Sequence, residues 1–102
     1  MIRHCVLVKF KGSTSIDERE AIYAELKALK HKLAGIVAAS FGPNVSPEGL
    51  GQGFHDGFVI DFKDAAARDA YLVHPAHQAA GARLVGALEE GIGGLIVFDL
   101  EV

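Results

Sequence analysis

Tryptophan is absent from this chain, cysteine occurs once, proline three times, and no run of apolar residues approaches the length of a bilayer. Each shortage excludes something. With Cys5 alone, neither an internal disulfide nor a cysteine metal cluster can form, and its place in an alternating run reads as an inert half-buried thiol rather than a nucleophile. Without about eighteen consecutive apolar residues there is no membrane span. The N-terminal apolar run is short, broken by Arg3, His4 and Lys9, and followed by no small-residue cleavage signal, so a cytoplasmic protein is expected. Ten basic and thirteen acidic residues are scattered with no Lys/Arg block, which argues against nucleic acid as a partner.

What is present is 102 residues, half of them apolar, with six Phe and two Tyr. That is one domain over residues 1–102, able to bury about 60–70% of its unfolded surface. So modest a core favours oligomerisation.

Ile2–Lys11 alternates as a strand, with Ile2, His4, Val6, Val8 and Phe10 on the buried side and His4 their only polar member. Ser15 followed by Glu18 has the form of a capping box, and Ile22, Leu26, Leu29 and Leu33 recur at helical spacing up to Gly35. Ile36–Phe41 reads as a second strand, closed by Gly42-Pro43. Asn44 to Gly53 is a glycine-rich loop, lacking the Lys and Ser/Thr of a phosphate cradle.

Phe54–Phe62 alternates again, with Asp56 at the wet end of a face shared with Phe58, Ile60 and Phe62. Asp64 can cap a helix over Ala65–Val73, which Pro75 ends near His74. Pro75 then suits the first turn of a further helix to about Leu88, whose inward stripe is expected to be His77, Gly81, Leu84 and Leu88. Leu95–Val102 closes the chain as a strand.

Two βαβ-like halves are visible in this order, which predicts an α+β, ferredoxin-like split βαβ arrangement: a four-stranded antiparallel sheet with helices on one face. The bare face, expected to carry Leu7, Val37 or Ala38, Val59, Leu95 and Val97, needs a cover, and a second copy of the chain supplies the simplest one.

The densest chemistry lies in Tyr71-Leu-Val-His-Pro-Ala-His-Gln78. His77 is expected to point inward beside Ala76, Ala79, Ala80, Gly81 and Ala82, side chains too small to fill the space next to a helix, so that a recess forms with an imidazole at its wall. Histidine suits a general base near neutral pH, and tyrosine a protonated donor to a carbonyl or enolate. The bland alternatives are a helix-start cap for His77, a core ring for Tyr71, a helix-end role for His74 and a bond within the buried layer for His4. His31, among lysines at a helix end, is assigned no chemistry. His74 and His77 straddle the helix break and have no partner carboxylate at a helical offset, so no metal is expected. No glycine fingerprint for a flavin or nicotinamide is present, and no cofactor is expected.

In Ile2-Arg3-His4, Lys9-Phe10-Lys11, Gly42-Pro43-Asn44-Val45-Ser46, Gln52-Gly53-Phe54, Tyr71 to His77 and Val97-Phe98-Asp99, the chain resembles the stress-responsive α/β-barrel (Dabb, dimeric α/β-barrel) family over essentially its whole length. The resemblance implies a homodimer whose two sheets form a barrel, and a pocket between sheet and helices; the chemistry of His77 and Tyr71 makes a small aromatic or carbonyl compound its expected occupant. A plant member closes a linear polyketide by a cofactor-free aldol condensation, using a histidine and a tyrosine that match His77 and Tyr71 and a strand-one histidine that matches His4. By that resemblance His77 and Tyr71 are the expected catalytic pair and His4 a pocket residue; Asp56, Phe58, His74, Gly81 and Leu84 complete the expected pocket from their places on the strand and helix faces. Many relatives read Asp-His where this chain reads His55-Asp56, which moves the imidazole to the opposite sheet face. Some plant relatives also hold magnesium through backbone carbonyls near the end of the first helix.

Overall fold

In the computed structural model, which describes all 102 residues, four strands and three helices follow in the order β1 (Ile2–Val8), α1 (Ile16–Ala28), β2 (Ile36–Pro43), β3 (Asp56–Phe62), α2 (Ala65–Val73), α3 (Pro75–Gly86) and β4 (Leu95–Glu101), with short 3₁₀ turns at Leu29–His31 and Gly91–Gly94. The sheet order is β2-β3-β1-β4 with every neighbouring pair antiparallel. β1 lies between β3 and β4, and β3 between β1 and β2, so each βαβ unit encloses a strand of the other. This is the split βαβ arrangement. No helix is long and apolar enough to cross a membrane.

On one side of the sheet Ile2, His4, Val6, Val8 and the outlying Phe10 are all buried, as their alternation predicts. They meet Phe58, Ile60 and Phe62 from β3, and Ile22, Leu26, Leu29, Tyr71, Leu84 and Leu88 from the helical layer. The regular ladder stops at Val8, shorter than the expected strand, because Lys9 turns its amide and carbonyl to Gly94 and Glu89. Phe10 then bridges Leu88 instead of β3.

Half of the expected capping box forms. Ser15 Oγ accepts from the Glu18 amide at 3.1 Å, but the Glu18 carboxylate turns away to Arg83 on α3, at 3.0 Å to both Nε and Nη2. Arg83 also reaches Glu25, so one guanidinium ties α3 to α1. Gly35 ends the turn after α1 because a Cβ there would collide with that of Ala67 on α2.

β4 departs from the expected face. Its register pairs Leu95 with Val8 and Val97 with Val6, which puts both on the helix side. The open face carries Ile96, Phe98 and Leu100 instead, beside Leu7, Val59 and Cys5. The run Leu95-Ile96-Val97-Phe98 is apolar throughout and has no alternation from which a face could be read. Val97 stays 55% exposed because it lies on an edge strand that the helices do not cover.

Candidate functional site

His74 sits at the joint between α2 and α3 in an extended conformation (φ −68°, ψ 131°), as a residue before proline should. Its amide donates to the Tyr71 carbonyl at 3.2 Å, closing α2, and its Nδ1 accepts from the Ala76 amide at 3.0 Å, opening α3. The side chain expected in the pocket is therefore committed at one nitrogen to capping.

One turn later, His77 is half-buried. Its Nδ1–H donates to the Leu72 carbonyl at 3.2 Å. A carbonyl can only accept, so Nδ1 carries the proton and Nε2 keeps its lone pair. Burial lowers the proton affinity of this ring, the bond to Leu72 opposes that, and His4 and His74 lower it further, for a net shift below the ordinary imidazole value. At neutral pH it is an unprotonated base.

Tyr71 lies against it, with ring centroids 4.2 Å apart. Only 1% of Tyr71 is exposed, and burial pushes its phenol far above the ordinary value, so it remains a donor throughout the accessible pH range. On its other side Tyr71 meets Phe62 at 5.0 Å and His4 at 6.0 Å. The three residues that sequence reasoning drew from β1, α2 and α3 thus form one contiguous row, His4, Tyr71, His77.

His4 brings two further residues with it. Its Nδ1 lies 2.6 Å from Asp99 Oδ1, and the second oxygen of Asp99 accepts from Arg68 Nη1 at 2.9 Å. Burial pushes the Asp99 carboxyl up, but the hydrogen bonds from Arg68 and His4 outweigh it and leave the group below its ordinary value. An ionised Asp99 accepts, so His4 Nδ1 also carries a proton. Sequence reasoning assigned no role to Asp99 or Arg68. The available signal was a lone carboxylate in the apolar strand Leu95–Leu100 and a lone cation in the alanine-rich stretch Ala65–Ala70.

Two of the other expected pocket residues, Asp56 and Phe58, separate from this row. Asp56 pairs with Val8 while His4 pairs with Ile60, four positions along the strand and so about 13 Å away. Asp56 instead approaches Arg19 at 3.9 Å. Phe58 stacks on Phe41 with centroids 4.9 Å apart. Both line a cleft of about 840 Å³ that extends along the β2–β3 end of the sheet past Gly42 and Gly57 to Leu50 and Phe54, and that does not include His4, Tyr71 or His77. The expected inward stripe holds at Leu84 and at Leu88 just beyond α3, both buried, but Ala80 rather than Gly81 is the fully buried member between them and His77. Gly81 is nevertheless bordered by open space, since a methyl group there would meet nothing within 4 Å.

The turn after α1 does not fit a divalent cation. The Leu29 carbonyl already accepts from Lys32 and Leu33, that of Leu33 from Ile36, and the turn carries the cations Lys30 and Lys32 and no carboxylate.

Residues 2–102 match the family model described as the stress responsive A/B barrel domain. A stress-response A/B barrel domain-containing protein, HS1, of Arabidopsis thaliana is 28% identical over 89 residues, covering 87% of this chain and 82% of its own. A dimeric ferredoxin-like protein of unknown function from Jannaschia sp. CCS1 superimposes with a TM-score of 0.92 at 38% identity, covering 99% of this chain and 98% of the other. A hydroxynitrile lyase from Passiflora edulis superimposes with a TM-score of 0.87 over 99% of this chain and 92% of its own; at 18% identity that likeness concerns the fold alone.

Proposed function

The chain belongs to the stress responsive A/B barrel domain family, and from that premise we propose that it is a homodimeric, cytoplasmic protein whose row His4–Tyr71–His77 borders a binding site for a small aromatic or carbonyl compound. The observation that carries the reading is the state of His77: Nδ1–H fixed on Leu72, Nε2 unpartnered, the ring packed 4.2 Å from Tyr71 and its proton affinity depressed by burial. A flat apolar ligand with one carbonyl would lie along the row, its oxygen accepting from the Tyr71 hydroxyl, the one donor the row offers it. The dimeric form of the Jannaschia relative supports pairing, which we assign to the open sheet face with Leu7, Ile96, Phe98 and Leu100.

The same state of His77 favours a second reading, acid/base catalysis. A neutral imidazole with a free nitrogen beside a buried phenol has the parts for removing a proton next to a carbonyl while a donor holds the enolate oxygen, as a cofactor-free aldol closure requires. Titration of the protein with 2,4-dihydroxyacetophenone, followed by thermal shift and amide NMR, tests binding. His77→Ala should weaken it by about tenfold, the scale of one lost hydrogen bond to a ligand with its packing, and an unchanged affinity would refute the site. Turnover of an enolisable β-polyketide by His77→Ala and Tyr71→Phe tests catalysis. A drop of about a hundredfold or more is expected for the base, and parent rates in both variants would leave a binding protein only.

A further inference from the structure

Between the row and the outer surface lies a chain of three charged or polar groups from three different elements. Arg68 on α2 donates through Nη1 to Asp99 Oδ2 at 2.9 Å, and Asp99 on β4 meets Nδ1 of His4 on β1 at 2.6 Å. We infer that Arg68 is a positioning residue for the site: by occupying one carboxylate oxygen of Asp99 it fixes the other on His4 Nδ1, and so holds the His4 ring in the orientation and tautomer that leave Nε2 for the pocket. This rests on the reading of the row as a ligand site.

The geometry requires such a constraint. β4 is an edge strand whose helix-side neighbour Val97 stands half in solvent, and the Asp99 side chain is itself about a quarter exposed, so apolar packing does not by itself fix the carboxylate. A carboxylate free to rotate would offer His4 either oxygen or neither. The guanidinium removes that freedom, and it is itself held by Asp69, whose Oδ1 accepts from Arg68 Nε at 2.9 Å. Arg68 is thus held from both ends, with only about a quarter of its side chain exposed. His4, at 4% exposure, has no alternative partner in water for its Nδ1–H. The ionisable groups around the pair are Arg68, Asp69 and Tyr71 from α2, His77 from α3 and Cys5 next to His4 on β1, and Arg68 is the one permanent cation among them. Its removal leaves Asp99 with less to offset the desolvation that, taken alone, favours the protonated form.

The test is ligand-free NMR on the folded protein. In the parent, the His4 Nδ1 proton should give a persistent downfield resonance, and the Asp99 carboxyl ¹³C a midpoint below that of an ordinary aspartate. In Arg68→Gln the resonance should broaden and the Asp99 midpoint move to higher pH, with Arg68→Lys recovering part of both. Affinity for 2,4-dihydroxyacetophenone should fall by about tenfold, on the scale of losing a side chain that orients a ligating histidine, with an acid limb that moves with Asp99. A His4 resonance and Asp99 midpoint identical to the parent would overturn the inference, whatever the ketone does. Should Arg68→Gln fail to fold, Arg68→Met keeps the aliphatic stem without the charge and carries the same comparison. Failure of the binding proposal is separate, since it would appear as His77→Ala matching the parent while the ligand-free spectra still respond to Arg68.

Discussion

Two tyrosines in this chain are pushed to high proton affinity by burial, and they do different work. Tyr71 stands next to an imidazole. Tyr23 is enclosed by Phe10, Phe41 and Phe58, and its hydroxyl is buried without a hydrogen-bond partner. An unpaired buried hydroxyl costs about 1–3 kcal/mol relative to one in water. Tyr23→Phe should therefore leave the melting temperature unchanged or raise it, and a fall of several degrees would mean that the hydroxyl has a partner. His77 supplies the pH dependence. Its folded-state proton affinity is below the ordinary value of 6.5, so above that pH neither state is charged and nothing is lost. As the pH falls through 6.5 the unfolded chain takes up a proton that the folded chain resists, and stability declines. Urea midpoints at pH 7.5 and 5.5 should differ more for the parent than for His77→Gln; equal differences would remove His77 as a source. What was legible here was residue identity. His4, Tyr71 and His77 stand out as polar or aromatic groups at positions whose periodicity points inward, whereas Arg68 and Asp99 acquire meaning only once β1 and β4 are paired.

At the scale of elements, alternation located β1 and β3 and helical spacing located α1 because each has one wet and one dry face. β4 has no such contrast, and its face came out reversed. The exchange of Ala80 for Gly81 on the inward side of α3 has a related cause, since Ala79, Ala80, Gly81 and Ala82 differ too little in size and polarity to mark which side is dry. The α2–α3 joint was legible because Pro75 dictates it, but the function of His74 there was not. Its ring accepts the Ala76 amide and starts α3, the helix that carries His77. His74→Ala should cost about 1 kcal/mol in chemical denaturation, the usual loss for an N-cap. Ketone affinity should hold within about twofold, because His77 stays anchored to the Leu72 carbonyl and one such cap is worth little beside the packing of Tyr71. A tenfold loss of affinity with unchanged stability would return His74 to the pocket.

For the whole molecule the governing fact is that only one side of the sheet is covered. Phe98 is 56% exposed, and Leu7, Ile96 and Leu100 are each more than two-fifths exposed, on adjoining strands β1 and β4 in direct register: Leu7 with Ile96, Cys5 with Phe98 and Arg3 with Leu100. A contiguous apolar surface of this kind is costly in water, at about 25 cal/mol for each Å² that a partner would bury. The charges near it do not oppose pairing, because Arg3 and Asp61 neutralise one another at 2.9 Å on that same face. A carboxylate at its centre would have to be desolvated against apolar side chains of the second copy, and a twofold arrangement introduces that penalty twice. Phe98→Glu should therefore sediment as a folded monomer at concentrations where the parent sediments as a dimer. Its circular dichroism should be unchanged, because Phe98 contributes nothing to the core beneath the helices. A variant that remains dimeric would place the interface on another surface, and one that unfolds would show that the monomer does not stand without its partner. Ile96→Glu, in register with Leu7 on the same face, separates those two results: a second unfolded variant would mean an obligate dimer, and a second dimer would rule out the open face.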